Sequence, residues 1–281
     1  MNQPPLPFFL DGADGLRRLA IYHEPRKAIK GCVLYVHPWC EEMNKSRHMA
    51  AAQARALAQE GYATLQIDLA GCGDSGGEFG DANWSQWVGD VVSGARWIRE
   101  RHGAPLWLWG LRSGCLLACQ AAARLTDVQP APGFLFWQPV AQGKVMLQQF
   151  LRLVLAGSLS DGSSRATLAS LRERLMAGQS IRVAGYELNA SLAAGLEAAS
   201  MAPSPAPPAA SSTALFFEIS SSPDEQVSPA MAGLVESWRA AGHRANAVRV
   251  RGPAFWQTTE IEHVPALLES TLDSLRMTSG A

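Results

Sequence analysis

The 281-residue chain lacks an excess of either charge: Lys and Arg total 24 against 25 Asp and Glu, a formal net charge of −1. A near-neutral chain has no electrostatic footprint for a polyanion, so nucleic acid and anionic lipid are not expected partners. It also lacks long apolar runs. The most apolar stretch, Leu106 to Ala123, is broken by Gly110, Arg112 and Gly114, short of the roughly 18 residues a transmembrane helix needs. The opening segment MNQPPLPFFLDGADG has no basic region followed by an apolar one, so no secretory leader is expected. Cysteines are few and unpaired by pattern. Cys32, Cys40, Cys72, Cys115 and Cys119 make an odd set with no C-x-x-C, which argues against a disulfide framework or a zinc knuckle and for a reducing cytoplasm. Cys115 and Cys119, four apart on a predicted helix, read as buried, inert thiols. The glycine-rich Gly71-Cys72-Gly73-Asp74-Ser75-Gly76 has neither the Lys-Ser/Thr of a Walker loop nor G-x-G-x-x-G spacing. Turn-forming glycines are the reading there, and neither a cofactor nor a metal is expected.

What is present is a large apolar fraction, 47% of residues, with only 17% charged, enough for a sizeable core. The segments PFFL and LRRLAIYHEP around Asp11–Gly15 read as an antiparallel hairpin. Strand and helix then alternate. GCVLYVHP (31–38), ATLQIDL (63–69), PLWLWG (105–110) and GFLFWQPV (133–140) read as buried strands. Helical spacing covers Ser46–Gln59, Trp84–Arg101 and Ser113–Arg124 between them. From 142 to 201 the rhythm changes to helices alone, at Leu147–Ala156, Arg165–Ala177 and Ser191–Ser200. A Pro, Ala and Ser-rich connector follows at 202–212, and alternation resumes with ALFFEIS (214–220), a helix at 228–241, AVRVRG (247–252) and a helix at 264–276. The layout predicts an α/β fold with a mostly parallel central sheet flanked by helices. Its core comprises 1–141 and 213–281, with a helical lid at 142–201.

In such sheets, ligands bind beyond the carboxyl ends of the strands. Those ends carry His37-Pro38-Trp39-Cys40-Glu41-Glu42, then Asp68 with the Gly71–Gly76 turn, then Gly110-Leu111-Arg112-Ser113-Gly114 and Ser222-Pro223-Asp224. His263 precedes the last helix. These pieces, in this order on these elements, resemble the α/β-hydrolase superfamily over nearly the whole chain. The departure is central. A G-x-S-x-G elbow has serine at its apex; here the apex is Arg112, which has no nucleophilic atom and does not deprotonate. The segments HPWCEEMNKSRHM, DLAGCGDSGGEFGDANWSQW, WLWGLRSG, FWQPV, VAGYELNASL and FWQTTEIE are similar to a narrower group. These are the second type of α/β-hydrolase-like protein associated with bacterial exosortase A systems. That resemblance implies the Gly-Leu-Arg elbow as a group feature, and a cytoplasmic protein linked to exopolysaccharide and PEP-CTERM protein-sorting loci. Its hydrolase label rests on fold, which does not settle chemistry.

Two readings of function stay open. In the first, the protein is an esterase, thioesterase or acyl-transfer enzyme. Arg112 and backbone donors near Trp39 and Ser113 stabilise negative charge, and His263 with Asp224 serves as base toward water or Ser113. In the second, the site is non-catalytic and Arg112 grips an acidic ligand or partner tail beneath the lid, its planar fork suited to a carboxylate, sulfate or phosphate. Each residue also has a bland reading. Ser113 begins a helix and points away; Asp224 forms a turn after Pro223; His263 lies at the surface, with Glu260 or Glu262 in its slot. His37 is structural or an oxyanion-loop donor. Cys40, Glu41 and Glu42 form a polar cluster at the pocket rim, with catalytic Cys40 disfavoured by the adjacent acids. The apolar lid helix, with Met146, Leu147, Phe150 and Leu151, suits either an acyl or aromatic ligand or a second subunit.

Overall fold

The computed structural model describes residues 4–160, 167–205 and 211–279. Eight strands form one sheet: β1 (Leu6–Asp11), β2 (Arg17–His23), β3 (Gly31–Val36), β4 (Tyr62–Ile67), β5 (Leu106–Leu111), β6 (Gly133–Trp137), β9 (Thr213–Ser220) and β10 (Arg244–Arg251). Their spatial order is β1-β2-β4-β3-β5-β6-β9-β10. The first hairpin and its junction with β4 are antiparallel, and every pairing from β4 to β10 is parallel.

The central strands are buried on both faces, which is why β3 reads as an unbroken apolar run. Alternate β3 residues serve different layers. Leu34 and Val36 face a core built with α2 (Trp84–His102) and α3 (Ser113–Ala122). Val33 and Tyr35 face a second core closed by α1 (Glu41–Gln59) and α8 (Pro265–Ser279). Local signals fix several ends: Asn83 and Gln86 form a reciprocal capping box at the start of α2, and Gly103 closes it at φ 63°. Ser228 caps α7 (Pro229–Ala240), with Pro229 in the first turn.

Between β6 and β9 lie α4 (Gly143–Ser160), α5 (Leu168–Met176), a small antiparallel hairpin of β7 (Ile181–Val183) and β8 (Tyr186–Leu188), and α6 (Ala190–Ala198). The entry and exit of this excursion are strapped together, Gly143 N–H donating to Ala199 O at 2.8 Å and Met201 N–H to Ala141 O at 2.9 Å. Gly143 is required there, since a Cβ would meet the Leu196 carbonyl oxygen. Residue 165, the predicted start of α5, and connector residues 206–210 lie outside the described residues.

Two elements differ from their sequence reading. Helix α1 begins at Glu41, not Ser46, so the polar cluster 41–47 is helical. Its N-cap, Cys40, has φ 53° and makes no side-chain cap, and Glu41 and Glu42 instead complement the helix dipole in the first turn. The β7–β8 hairpin stands where helices alone were expected. Its turn, Ala184-Gly185, has positive φ at both residues, as a type I′ two-residue hairpin loop requires.

Candidate ligand pocket at the β5–α3 elbow

The elbow itself is intact as backbone. A Cβ at Gly110 would lie 2.5 Å from the Cys115 nitrogen, and one at Gly114 would lie 2.1 Å from the Val36 oxygen, so neither position admits a side chain. Arg112 stands at the apex with φ 53° and ψ −116°, a strained conformation for a residue with a side chain. Its amide donates to Trp137 O at 3.1 Å, which anchors the turn to the neighbouring strand β6.

Arg112 is 7% exposed, so its charge needs compensation. Nε lies 3.3 Å from Glu42 Oε1 on α1, and Nη2 donates to Gln149 Oε1 on α4 at 2.8 Å. The guanidinium carbon sits 5.7 Å from the centre of the Trp256 ring. One buried cation thus ties together the elbow, the first turn of α1, the helix α4 and the loop after β10. Burial pushes the Glu42 carboxyl above its usual range, and the Arg112 guanidinium offsets that only in part.

Above this cluster is a cavity of about 350 Å³. Cys40, Glu41, Glu42 and Lys45 line it from the start of α1, Met146, Gln149, Phe150 and Leu153 from α4, and Trp39, Ala184, Trp256 and Gln257 from loops. Arg112 lies behind Glu42, Gln149 and Trp256 and is not itself part of the wall. The wall is well fixed. Trp39 packs on Phe150 with ring centres 4.5 Å apart, Lys45 Nζ donates to Gln257 O at 3.2 Å, and Tyr186 of β8 donates to Glu41 Oε1 at 3.2 Å. Helix α4 buries Met146, Leu147, Phe150 and Leu151 within the chain and leaves Val145 and Leu153 exposed.

The residues expected to form a triad are not brought together. Ser113 is buried in the first turn of α3, and its Oγ accepts the Trp39 amide N–H at 3.1 Å. That bond engages the backbone donor expected to serve an oxyanion. Asp224 is exposed, and its carboxylate accepts from the Ser222 hydroxyl at 2.7 Å in a local turn. His263 is exposed and packs edge-on against His48, ring centres 5.1 Å apart. Among the described residues no hydrogen bond joins any two of the three. Both ring nitrogens of His37 meet backbone: its Nε2 accepts the Leu69 amide at 3.2 Å, which puts the proton on Nδ1 for donation to Pro38 O at 2.6 Å. Burial lowers its pKa, favouring this neutral form. Burial also holds the Cys40 thiol far above its usual value, so it stays protonated and unreactive.

Sequence reasoning missed Gln149, Trp256 and Gln257. Trp256 and Gln257 follow the last strand at its carboxyl end, the same rule that picked out the other loops, but attention to histidine placed the functional side chain at 263 instead.

Comparison with known proteins agrees with this architecture. Residues 27–177, more than half of the chain, match the family described as serine aminopeptidase, S33, Hydrolase_4. Among solved structures, Est1E from Butyrivibrio proteoclasticus with bound ferulic acid superposes with a TM-score of 0.69 at 16% identity, covering 98% of this chain and 100% of that one. A thermostable carboxyl esterase from Bacillus coagulans, in complex with glycerol, gives 0.65 at 14% identity, covering 99% of each chain. Mouse alpha/beta hydrolase domain-containing protein 10 gives 0.64 at 13%, covering 97% of this chain and 99% of that one. These identities speak for fold alone. No curated protein sequence matches the chain. Fold and family match agree: this chain belongs to the serine aminopeptidase S33 family of α/β-hydrolases.

Proposed function

We propose that this protein uses the α/β-hydrolase pocket to bind a small ligand and does not carry out serine-hydrolase turnover. The observation that carries the reading is the apex itself. Arg112 offers no nucleophile, and the side chain that packs against it from the loop after β10 is Trp256, which is no base. Serine-dependent acyl transfer needs a hydroxyl, a base within hydrogen-bond reach and free oxyanion donors. Here the nearby hydroxyl of Ser113 and the nearby amide of Trp39 are bonded to each other. Arg112 acts as a strut. It fixes Glu42 and Gln149 as cavity walls, and an acidic ligand reaching for it would first have to displace Glu42.

In this reading residues 142–201 are a lid, with Met146, Phe150 and Leu153 of α4 as its ligand-facing side. The resemblance of the segments around 37–49, 68–87 and 107–114 supports a place among exosortase A-associated proteins working in the cytoplasm. Among the described residues no helix is long and apolar enough to cross a membrane. Steady-state assays with short and medium p-nitrophenyl esters test the chemistry. No hydrolysis above the solvent rate is expected from the natural protein, and none from Arg112→Ser, because a restored hydroxyl would still face Trp256. Turnover by Arg112→Ser at rates typical of esterases would mean that a base and acid are in place and that the pocket is a catalytic site with one part exchanged.

A further inference from the structure

Four of the six histidines have a ring nitrogen engaged in a hydrogen bond: His23 with Gln66, His37 with Leu69 and Pro38, His102 with Tyr22, and His243 with Ser212 and Ser204. His48 and His263 are the exceptions. Both are exposed, and among the described residues neither ring makes a hydrogen bond. Each meets the other instead, with ring centres 5.1 Å apart and planes at 64°. Two imidazoles with uncommitted lone pairs thus face each other from separate elements, one on α1 and one at the end of the loop after β10. Their positions lie far apart in the chain, so no short motif marks the pair.

Their separation is set by buried packing. The next residues along the chain, Met49 and Val264, belong to the core closed by α1 and α8, and the Val264 amide donates to Met49 Sδ at 3.3 Å. One turn earlier on α1, Lys45 Nζ donates to Gln257 O of the same loop at 3.2 Å. The backbones that carry the two rings are therefore already held, and only the exposed side chains have to turn to share a ligand.

A neutral imidazole is the commonest protein metal ligand. Two imidazoles on one zinc ion, each nitrogen about 2.0–2.1 Å from the metal at a tetrahedral angle, have ring centres about 5 Å apart. His48 and His263 already stand at that spacing. Imidazole suits zinc, nickel and copper, whereas magnesium and calcium take oxygen ligands. Glu260 and Glu262, in the same loop, add negative charge that favours a cation. Among the described residues no group of three or more His, Cys, Asp or Glu is placed to share an ion, so water completes the coordination and the ion exchanges freely.

We propose that His48 and His263 together bind a divalent transition-metal ion of the zinc type, which clamps the loop carrying Trp256 and Gln257 onto α1. The site is distinct from the pocket and does not depend on what the pocket binds. Calorimetric titration of zinc chloride into the full chain, the two single variants His48→Ala and His263→Ala and the double variant tests it. Each single variant should lose about tenfold or more in affinity, because a second ligand on the same scaffold acts at high effective concentration. The double variant should lose little more than either single one, the mark of two residues acting as a unit. The thermal midpoint of the natural protein should rise with zinc concentration, as for any ligand that binds the folded state, and those of the variants should not. Magnesium chloride should do neither. Affinity unchanged in either single variant, losses that simply add, or magnesium binding as tight as zinc would mean an adventitious ion only and overturn the proposal, as would no zinc binding at all. Both positions are exposed, so the variants keep the fold, and His48→Gln and His263→Gln repeat the cycle with polar side chains.

Discussion

Arg18 and Arg112 are both buried arginines paired with carboxylates, yet only one of them stands next to a cavity. Arg18 on β2 is 1% exposed and pairs with Asp14 at 2.7 Å and Asp90 at 2.9 Å, with Leu16 O a further acceptor. Asp90 also receives the Ala70 amide at 2.9 Å, while Arg18 Nε, though ion-paired with it, is buried without a hydrogen bond. Arg112 has one carboxylate, Glu42, which also lines the cavity. The Arg18 cluster ties β2 to α2 with two carboxylates. The Arg112 cluster holds a wall of the cavity in place with one carboxylate and the Gln149 amide.

Breaking each pair should separate the two roles. Asp90→Ala leaves Arg18 with one partly exposed acid and is expected to cost roughly 3–5 kcal/mol, the range for removing one partner of a buried pair. Arg112→Met should cost less, roughly 1–2 kcal/mol, because Glu42, already pushed up by burial, can take a proton and avoid standing as a buried unpaired charge. Urea midpoints of the two variants read the difference. Equal losses would mean that the Arg112 cluster is as fully structural as the other.

Acid should weaken the fold through His37. Its folded pKa lies below the unfolded value of about 6.5, so the folded state binds fewer protons and stability rises with pH across that window. The contribution is complete above about pH 6.5 and is lost as the pH falls toward the folded value. Thermal midpoints between pH 7.5 and 5.5 should therefore fall for the natural protein and fall less for His37→Gln. His23 and His102, also lowered by burial, keep part of the slope. A slope unchanged by the substitution would show that His37 is not held neutral.

The smallest effects are expected at the positions the sequence made most conspicuous. Asp224→Ala and His263→Ala are surface changes and should each shift stability by less than about 0.5 kcal/mol. Neither should alter ligand binding in the pocket. A loss of ligand binding on either substitution would place that residue in the site after all.

Much of the scaffold was legible because it rests on local rules. Buried apolar runs, β-branched in β3 and aromatic in β5 and β6, marked the parallel strands, and Gly110 and Gly114 marked the elbow because no Cβ fits there. The start of α1 was not legible, since Cys40 supplies no capping side chain and the acidic first turn looks like a loop. The β7–β8 hairpin was missed because its strands are three residues each, too short for alternation to show. Trp256 was not legible as a site residue for a different reason. Which side chain a loop presents to a distant apex depends on how the strands before it and the helix after it pack, and no local pattern encodes that.

The central claim is that the elbow holds a strut and not a nucleophile. Intact mass after treating the pure protein with a fluorophosphonate, followed by peptide mapping, tests it most directly. The account predicts an unmodified mass, with Ser113 untouched because its hydroxyl is buried against the Trp39 amide. A stoichiometric adduct on Ser113 would contradict it and make the pocket a catalytic site.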